Sequence, residues 1–155
     1  MVIEEKDGLS DEEIKDILSK YKVIAVIGMS RDARKPGHYV PKFLMKHGYK
    51  IIPVNPNSSE INVGNQTLKS YKSLLDIQED VDIANVFRRP EDVPPVAEDA
   101  IRKGVKVFWM QEGIYNKEAV EKLRKAGIIV VWDRCMMKEY SRLFNVKPFV
   151  PTSKL

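Results

Sequence analysis

The stretch that decides the fold is Val23-Ile24-Ala25-Val26-Ile27-Gly28-Met29-Ser30. Five apolar residues run into a glycine, which is typical of a central parallel strand that ends in a tight turn. Strands of this kind are buried on both faces of their sheet, so their sequence is a nearly continuous apolar run. Four later runs rich in Val and Ile predict further strands, at residues 51–54, 81–87, 105–109 and 128–132.

Segments with helical periodicity separate these runs. The first begins with a capping box, Ser10 with Glu13, and its apolar residues recur at helical spacing. Glycines follow the second, third and fourth helical segments, where a helix commonly ends, and Asp133 is predicted to cap the last segment. The predicted helices lie at residues 10–21, 40–47, 93–103, 116–126 and 133–144.

Strand and helix alternate along the chain. This alternation predicts one α/β domain over residues 1–155, a Rossmann-like, doubly wound and mostly parallel sheet of five to six strands in three layers. Within this domain, residues 1–20 contain the N-terminal helix and residues 148–155 form a tail. The polar region between the second and third long runs predicts only a short strand near Leu68 and a helical turn at 73–77.

The composition is that of an ordinary globular protein. The 155 residues are 43% apolar and 31% charged, and no apolar run approaches the roughly 20 residues needed to cross a membrane. The N-terminus has no basic region followed by an apolar stretch, so no signal peptide is expected. The single cysteine, Cys135, excludes an internal disulfide and fits a reducing compartment. We therefore expect a cytoplasmic protein with no membrane partner.

Neither nucleic acid nor a metal is an expected partner. The net charge of +4 is mild, and aromatic residues are not interleaved with basic ones as stacking platforms require. His38 and His47 have no Cys or carboxylate at metal-ligand spacing. The sequence also contains no P-loop and no nucleophile elbow, so it predicts no catalytic residues.

The turn after the first strand predicts a phosphate site. In a doubly wound sheet, ligands bind outside the carboxyl ends of the strands, beside the first strand. Gly28 can form the tight turn and expose backbone amides, and the hydroxyl of Ser30 adds a donor, although a dinucleotide fingerprint has two further glycines. A solvated loop without a ligand is the alternative. Three cations in the next five residues favour a ligand with more phosphate than NAD: Arg31, Arg34 and Lys35.

The end of the second strand argues against NAD. NAD sites usually place an Asp or Glu there to bind the ribose hydroxyls. Here residues 53–57 read Pro-Val-Asn-Pro-Asn, and the next carboxylate is Glu60. A carboxylate would repel a 3′-phosphate on the ribose, whereas Asn55 would not.

The later strand ends add candidate contacts. Phe87 and Arg88 could stack on an adenine and hold a phosphate, or they could simply enter a helix. Trp109 ends the fourth run and is either a contact or a core residue. Cys135 lies just inside the predicted last helix, where free amides, the helix dipole and the neighbouring Arg134 would lower the pKa of its thiol. The alternative for Cys135 is a small buried hydrophobic residue.

Five motifs occur in a characteristic order: Ala25-Val26-Ile27-Gly28-Met29-Ser30, Gly48-Tyr49, Pro53-Val54-Asn55-Pro56, Val86-Phe87-Arg88-Arg89 and Trp109-Met110-Gln111-Glu112-Gly113. Together they resemble the stand-alone CoA-binding domain proteins, relatives of the CoA-binding domain of the succinyl-CoA synthetase α subunit. The resemblance covers residues 21–143. Each motif is weak alone, but the five in this order are specific.

The resemblance implies a Rossmann-like domain that binds coenzyme A, or an acyl-CoA, across the carboxyl ends of its strands. The contacts that it implies are Gly28, Met29 and Ser30 to the diphosphate; Arg34 and Lys35 to the phosphates, including the 3′-phosphate; Asn55 and Pro56 to the adenosine half; Phe87 and Arg88 to the nucleotide; and Trp109 and Gln111 to the pantetheine arm. The related synthetases carry a catalytic phosphohistidine in a following domain, and neither histidine here sits where that role would fall. We therefore expect a non-catalytic carrier, sensor or partner of CoA-using enzymes.

Two alternatives remain open. The first is an NAD(P)-dependent oxidoreductase, because the fold alone permits it and Arg31 or Arg34 could hold the 2′-phosphate of NADP. The second is thiol chemistry, in which Cys135 forms a mixed disulfide with CoA.

Overall fold

The computed structural model describes residues 3–151, and its centre is a parallel sheet of five strands. The strands of the described chain are β1 (Val23–Ile27), β2 (Lys50–Val54), β3 (Glu60–Val63), β4 (Gln66–Lys69), β5 (Ile83–Val86), β6 (Val107–Met110) and β7 (Ile129–Val131). The central sheet has the order β2-β1-β5-β6-β7, and every neighbouring pair is parallel. The predicted Rossmann-like sheet is confirmed, with five strands.

The order of the strands creates a switch point. The chain first winds outward from β1 to β2 and then returns to place β5 on the other side of β1. The loops that leave β1 and β5 therefore diverge at the carboxyl edge of the sheet. This divergence leaves a crevice at the position where doubly wound proteins bind their ligands.

Helices cover both faces of the sheet. They are α1 (Asp11–Lys20), α2 (Pro36–Lys46), α3 (Val93–Lys103), α4 (Lys117–Lys125) and α5 (Met136–Phe144). On one face α1, α2 and α5 pack against Ile24 and Val26, and on the other α3 and α4 pack in the core that contains Ala25 and Ile27. All four of these β1 side chains are buried, which is why the strand has no polar alternation. The predicted three layers are confirmed.

The prediction between β2 and β5 is incomplete. The structure has an antiparallel hairpin of β3 and β4, in which Leu68 lies opposite Ile61. Only one of these strands was predicted, because four-residue strands with mostly polar sequence carry a weak periodic signal. The helical turn expected at 73–77 is present as a 3-10 turn, Leu74–Asp76.

The predicted helix caps have different outcomes. Ser10 and Glu13 form the capping box of α1, as predicted. Asp133 does not cap α5: its backbone is left-handed, with a φ of 56°, and its Oδ1 accepts a hydrogen bond from Gly113 N at 2.7 Å. Cys135 is the residue that precedes α5, and it makes no side-chain cap hydrogen bond. Asp133 instead ties the end of β7 to the loop after β6.

The segment before α1 is tied to the end of β7 by a buried ion pair. The carboxylate of Asp7 accepts hydrogen bonds from Arg134 Nη2 at 2.7 Å and Arg134 Nε at 2.9 Å, and from the backbone N–H groups of Leu9 and Trp132. Burial by itself raises the pKa of Asp7, but these hydrogen bonds outweigh it and hold that pKa below its usual value. Arg134 also pairs with Glu139 of α5 at 2.7 Å.

The ends of the chain at residues 1–2 and 152–155 lie outside the described residues, and so does the last part of the tail predicted at 148–155. No helix in the described part of the chain is long and apolar enough to span a membrane. Between residues 3 and 151 there is also no group of three or more His, Cys, Asp or Glu residues that could hold a metal ion.

Candidate ligand-binding cleft

A cleft of about 700 Å³ opens at the switch point, along the carboxyl edge of the sheet. Small-molecule sites usually have volumes of roughly 300–1,000 Å³. The cleft does not include Arg34, Pro56 or Trp109, although the resemblance implied all three as contacts. The other predicted residues line it together: Gly28, Met29, Ser30, Lys35, Asn55, Phe87, Arg88, Gln111 and Cys135.

Gly28 forms the tight turn that joins β1 to this cleft. Its φ is +87°, a region that L side chains rarely adopt, and its N–H donates to Val54 O at 2.9 Å. A Cβ built on Gly28 would lie 2.6 Å from the carbonyl oxygen of Phe87. Backbone conformation and close packing therefore both require glycine where the loops after β1 and β5 touch.

The start of α2 packs closely on this turn. Ser30 N donates to Gly37 O at 3.1 Å, and a Cβ on Gly37 would lie 3.3 Å from the carbonyl oxygen of Gly28. His38 is buried, and its Nδ1 lies 2.8 Å from Ser30 O; because a carbonyl oxygen only accepts, Nδ1 is the donor. The sequence prediction missed the role of Gly37. A glycine directly after the proline that begins a helix is the signal that could have identified it.

Backbone donors remain free around the turn. The N–H groups of Met29, Arg31 and Gly37 have no hydrogen-bond acceptor in the described part of the chain. The hydroxyl of Ser30 accepts a backbone N–H at 3.0 Å, which leaves its own hydrogen available to a ligand. Helix α2 begins at Pro36 with no side-chain cap and no acidic residue in its first turn. Its positive end is therefore uncompensated, an arrangement that binds anions.

Cationic side chains surround these donors. Arg31, Lys35 and Arg88 line the cleft, and none of them has a carboxylate within 4.0 Å among residues 3–151. Arg34, which was predicted to neutralise phosphate, is instead held by Asp32 through two hydrogen bonds of 3.0 and 3.1 Å. Hydrogen bonds from Arg34 lower the pKa of Asp32 to about 2. The structure thus brings Arg31, rather than Arg34, to the cleft with its charge free.

Asn55 links the ends of β2 and β1. Its Nδ2 donates to Met29 O at 3.0 Å, and its Oδ1 accepts from Asn57 N at 2.8 Å. The only carboxylate among the described lining residues is Glu112, in the loop after β6. No negative charge therefore lies where an NAD site would hold the ribose. Pro56 is exposed and does not line the cleft.

The end of the cleft beside β6 and α5 has a different chemistry. Gln111 is buried at this end; its Nε2 donates to Asn85 Oδ1 at 2.5 Å, and its Oε1 accepts from Met136 N at 3.4 Å. Lys138 is also present, but it is paired with Glu112 at 2.9 Å. The free cations thus lie around β1 and β5, while neutral groups and a closed ion pair lie around β6 and α5.

Trp109 lies in the core and not along the cleft. Its side chain is fully buried in the layer beneath α1, α2 and α5, and its Nε1 donates to Arg134 O at 2.8 Å. The resemblance implied a contact to the pantetheine arm. Trp109 is instead an interior residue of β6, which ends at Met110, and its side chain faces the helices.

Cys135 lines the cleft, but the predicted change in its pKa is wrong in sign. Burial raises the pKa of the thiol, and the N–H groups of Lys138 and Met137, which favour the thiolate, do not offset it. The neighbouring Arg134 is engaged with Asp7. The thiol of Cys135 therefore ionises less readily than that of an ordinary cysteine. Burial agrees with the alternative stated for Cys135, a small buried hydrophobic residue, and the sequence could not decide between the two because the burial comes from tertiary packing.

The fold and the cleft define a class: a Rossmann-like protein with an uncompensated helix N-terminus and free cations at the switch point of its sheet. The chain belongs to the family of CoA-binding domains, which matches residues 22–141. This match confirms the family inferred from the five motifs.

Similar proteins include both short chains and parts of longer ones. The chain is 42% identical over 127 residues to the uncharacterized protein YneT of Bacillus subtilis, a match that covers 82% of this chain and 91% of YneT. A hypothetical protein from Pyrococcus horikoshii has a solved structure with 41% identity and a TM-score of 0.85, covering 93% of this chain and 99% of the other.

A longer relative is the alpha subunit of the ADP-forming acetate–CoA ligase I from Pyrococcus furiosus, which is 42% identical over 146 residues. That match covers 86% of this chain but 32% of the subunit, so the chain spans about a third of the subunit's length.

Proposed function

We propose that this protein binds coenzyme A in the cleft and acts as a non-catalytic carrier, sensor or partner of CoA-using enzymes. The observation that carries the proposal is a set of three cations, Arg31, Lys35 and Arg88, which have no ionic partner within residues 3–151 and surround backbone amides that are free in that same range. CoA brings a diphosphate and a 3′-phosphate, and charge-assisted hydrogen bonds to phosphate are among the strongest in proteins. Membership of the CoA-binding domain family supports the same ligand.

The proposed ligand runs along the carboxyl edge of the sheet. Its diphosphate lies on the free amides near Gly37, and its adenosine half lies between Asn55 and Phe87, where no carboxylate repels the 3′-phosphate. Its pantetheine arm then extends past β6 towards Gln111 and Cys135. The order follows the chemistry of the cleft, from free cations at one end to neutral groups at the other.

A stand-alone role is supported by the lengths of two similar proteins. The match covers 91% of YneT and 99% of the Pyrococcus horikoshii protein, so this domain makes up nearly all of those two chains. In the acetate–CoA ligase subunit the matching part is about a third of the chain. The proposal is therefore limited to binding and partnership. The cytoplasm is the proposed location, because the single cysteine suits a reducing compartment.

Calorimetric titration of the full chain with CoA, acetyl-CoA, dephospho-CoA and NADPH tests the ligand. We expect CoA to bind more tightly than dephospho-CoA by about tenfold, because the missing 3′-phosphate removes charge-assisted hydrogen bonds. NADPH is expected to bind more weakly than either. The ratio of CoA to acetyl-CoA affinity decides between the free and the acylated ligand. Tight NADPH binding without CoA binding would contradict the proposal and support the oxidoreductase alternative.

Two arginine substitutions distinguish a contact in the cleft from a general effect of net charge on binding. Arg88→Ala removes a free cation of the cleft, and Arg102→Ala removes an exposed arginine of α3. We expect Arg88→Ala to weaken CoA binding about tenfold and to reduce its salt dependence, since one phosphate contact is lost. Arg102→Ala is expected to change the affinity by less than about twofold. Equal effects of the two substitutions would contradict the assignment.

A second candidate function is disulfide exchange at Cys135, because this residue lines the end of the cleft where the pantetheine thiol is proposed to lie. The thiolate of Cys135 would attack one sulfur of CoA disulfide, form a Cys135–CoA mixed disulfide and release the other CoA as a thiolate. The raised pKa of Cys135 makes the reaction slow at neutral pH. Intact mass after incubation with CoA disulfide should increase by one CoA and return with a reductant. An unchanged mass, or the same gain in Cys135→Ser, would exclude the exchange.

A further inference from the structure

A buried carboxamide lies in the centre of the sheet without a complete set of partners. Asn85 is the third residue of β5, is fully buried, and sits between Val26 of β1 and Trp109 of β6. Its Nδ2 has no hydrogen-bond partner among the described residues. A buried amide group without a partner destabilises a protein, and an apolar side chain would avoid this cost. Core stability therefore does not explain why an asparagine occupies this position.

The hydrogen bonds around Asn85 determine which way each amide points. Met136 N–H can only donate, so the Gln111 atom that faces it is the oxygen Oε1. The nitrogen of the same carboxamide, Nε2, must then face Asn85 at 2.5 Å. Asn85 can satisfy Nε2 only by presenting its oxygen, which leaves its own Nδ2 unpaired. The unpaired nitrogen is thus the consequence of holding Gln111 in one orientation.

We propose that Asn85 is a positioning residue: it orients the carboxamide of Gln111 so that Gln111 can form hydrogen bonds with an amide group in the pantetheine arm of CoA. This inference rests on the function proposed above. Gln111 lines the cleft, at the end away from the free cations. With its two present hydrogen bonds made, Gln111 keeps one Nε2 hydrogen and one Oε1 lone pair for a ligand. The pantetheine arm contains two secondary amides, and each offers one acceptor and one donor. Without Asn85, only the long hydrogen bond of 3.4 Å from Met136 N would hold the Gln111 amide, which could then rotate and present the wrong atom.

The test compares CoA with a ligand that lacks the pantetheine arm. Asn85→Leu removes the oxygen that holds Gln111 and also removes the unpaired nitrogen. We expect it to weaken CoA binding about tenfold, the size of effect produced by losing an oriented hydrogen bond. Its affinity for adenosine 3′,5′-bisphosphate should be unchanged, because that ligand does not reach Gln111. Gln111→Leu should have the same pattern, and the double variant should lose no more than either single one.

A matched control removes a different buried and unpaired polar atom. Ser141 Oγ in α5 has no hydrogen-bond partner among the residues described, and Ser141 does not line the cleft. Ser141→Ala should leave both affinities unchanged. Asn85→Val is made in parallel, and thermal unfolding is measured for all variants. These measurements show whether a loss of binding in Asn85→Leu comes from poor packing of the leucine and not from the lost hydrogen bond.

The outcomes separate this proposal from the one on which it rests. Wild-type protein that does not bind CoA overturns both. CoA binding by wild-type protein with no loss in Asn85→Leu, or with an equal loss for adenosine 3′,5′-bisphosphate, overturns the positioning role alone. Nuclear magnetic resonance of the Gln111 side-chain amide in ligand-free protein gives an independent measurement of its orientation. In wild-type protein one Nε2 proton should be shifted and protected by its bond to Asn85, and in Asn85→Leu both should resemble a free amide. Unshifted wild-type resonances also overturn the positioning role.

Discussion

Two junctions at the same edge of the sheet lead from a strand into a helix, and they differ in whether the cations beside the cleft have ionic partners. Between β1 and α2, Arg31 and Lys35 face the cleft with no ionic partner in the described chain. Between β7 and α5, Arg134 is closed between Asp7 and Glu139 at 2.7 Å from each. Cations at a strand end are therefore not by themselves a sign of a binding site. A cation indicates a candidate binding site only where the protein provides no counter-charge for it.

The helix N-termini at the two junctions show the same contrast. Helix α2 begins with an uncapped turn and a free Gly37 amide at the cleft. At α5 the buried, neutral side chain of Cys135 precedes the helix, and it makes no side-chain cap hydrogen bond. The first helix N-terminus has free cations beside it, while the second has a neutral residue and an arginine that is already paired. We expect changes at the first junction to alter binding and changes at the second to alter stability.

The largest effect on binding is expected from Gly28→Ala. The added Cβ would meet Phe87 O at 2.6 Å on a backbone with a φ of +87°, so the loops after β1 and β5 must separate. We expect a loss of CoA affinity of at least about 100-fold, and destabilisation by about 3 kcal/mol from strain and overpacking together. Calorimetric titration and urea unfolding measure the two effects.

Gly48→Ala is the matched control for this prediction. Gly48 has a similar φ of +92°, but a Cβ there would meet nothing within 4 Å. This variant should be destabilised by only about 1 kcal/mol, the cost of the left-handed backbone, and should bind CoA like the wild type. Equal loss of binding in the two variants would show that backbone strain, and not the clash at the cleft, is responsible.

The next largest effect is expected from Asp7→Ala at the closed junction. It leaves the partly buried Arg134 without its main partner, which should reduce the free energy of unfolding by about 2 kcal/mol. CoA affinity should change by less than about threefold, since neither residue lines the cleft. Asp11→Ala, which breaks an exposed pair with Arg142, should cost much less stability. A larger loss for Asp11→Ala would invert the expected role of burial.

The same pair predicts a dependence on pH. The pKa of Asp7 is lower in the folded protein than in an unfolded chain, so its contribution is fully present above the unfolded value of about 3.9. The contribution is lost as the pH falls through the folded pKa. The difference in urea midpoint between wild type and Asp7→Asn should therefore be constant near neutral pH and shrink in acid. A difference that grows in acid would contradict the direction of the shift.

Local sequence was sufficient for the turn and the sheet. The run 23–27 predicts a doubly buried strand by itself, and Gly28 predicts the turn because few other residues adopt its backbone conformation. The free cation Arg88 was also recognised, since it follows a strand directly. These features depend on neighbours in the chain, so the sequence alone contains their explanation.

The remaining site features depend on distant contacts. Trp109 is one residue before the end of β6, and whether it faces the cleft or the core depends on helices elsewhere in the chain. The pKa of Cys135 depends on how α5 is buried, and Gln111 is oriented by Asn85, 26 residues away. Asn85 itself was visible as a polar residue within an apolar run. Its partner could not be identified before the strands were placed side by side.

A smaller effect, on the reactivity of a thiol, is expected at Cys135. This residue belongs to the second junction and also lines the cleft. Burial raises the pKa of its thiol and also shields it, so iodoacetamide should alkylate it more slowly than it alkylates a free cysteine at pH 8. The rate should rise with pH up to values above the ordinary cysteine range. Bound CoA should slow it further, because Cys135 lines the cleft. Mass spectrometry follows the reaction, and alkylation as fast as that of a free cysteine would contradict the burial.

The smallest effect, and the one that sharpens the comparison most, is expected from Asp32→Asn. The asparagine keeps an oxygen that can accept the Arg34 N–H, so the turn should hold its shape, but the guanidinium of Arg34 loses its counter-charge. One more cation then becomes free at the open junction. We expect CoA to bind about threefold more tightly, and with a steeper dependence on salt. Calorimetric titration at several salt concentrations measures both.

Glu98→Gln is the matched control, because it also removes one exposed carboxylate from a cation but does so between α3 and α4. It leaves Lys122 with only the more distant Glu118, at 4.0 Å. Its net charge equals that of Asp32→Asn, so long-range attraction of the ligand should be similar. If the two variants bind CoA equally, only the net charge matters and the open junction has no special role. If Asp32→Asn alone binds more tightly, the affinity depends on which cations the turn leaves unpaired. The ion pair of Asp32 and Arg34 would then limit the charge that the cleft offers to phosphate.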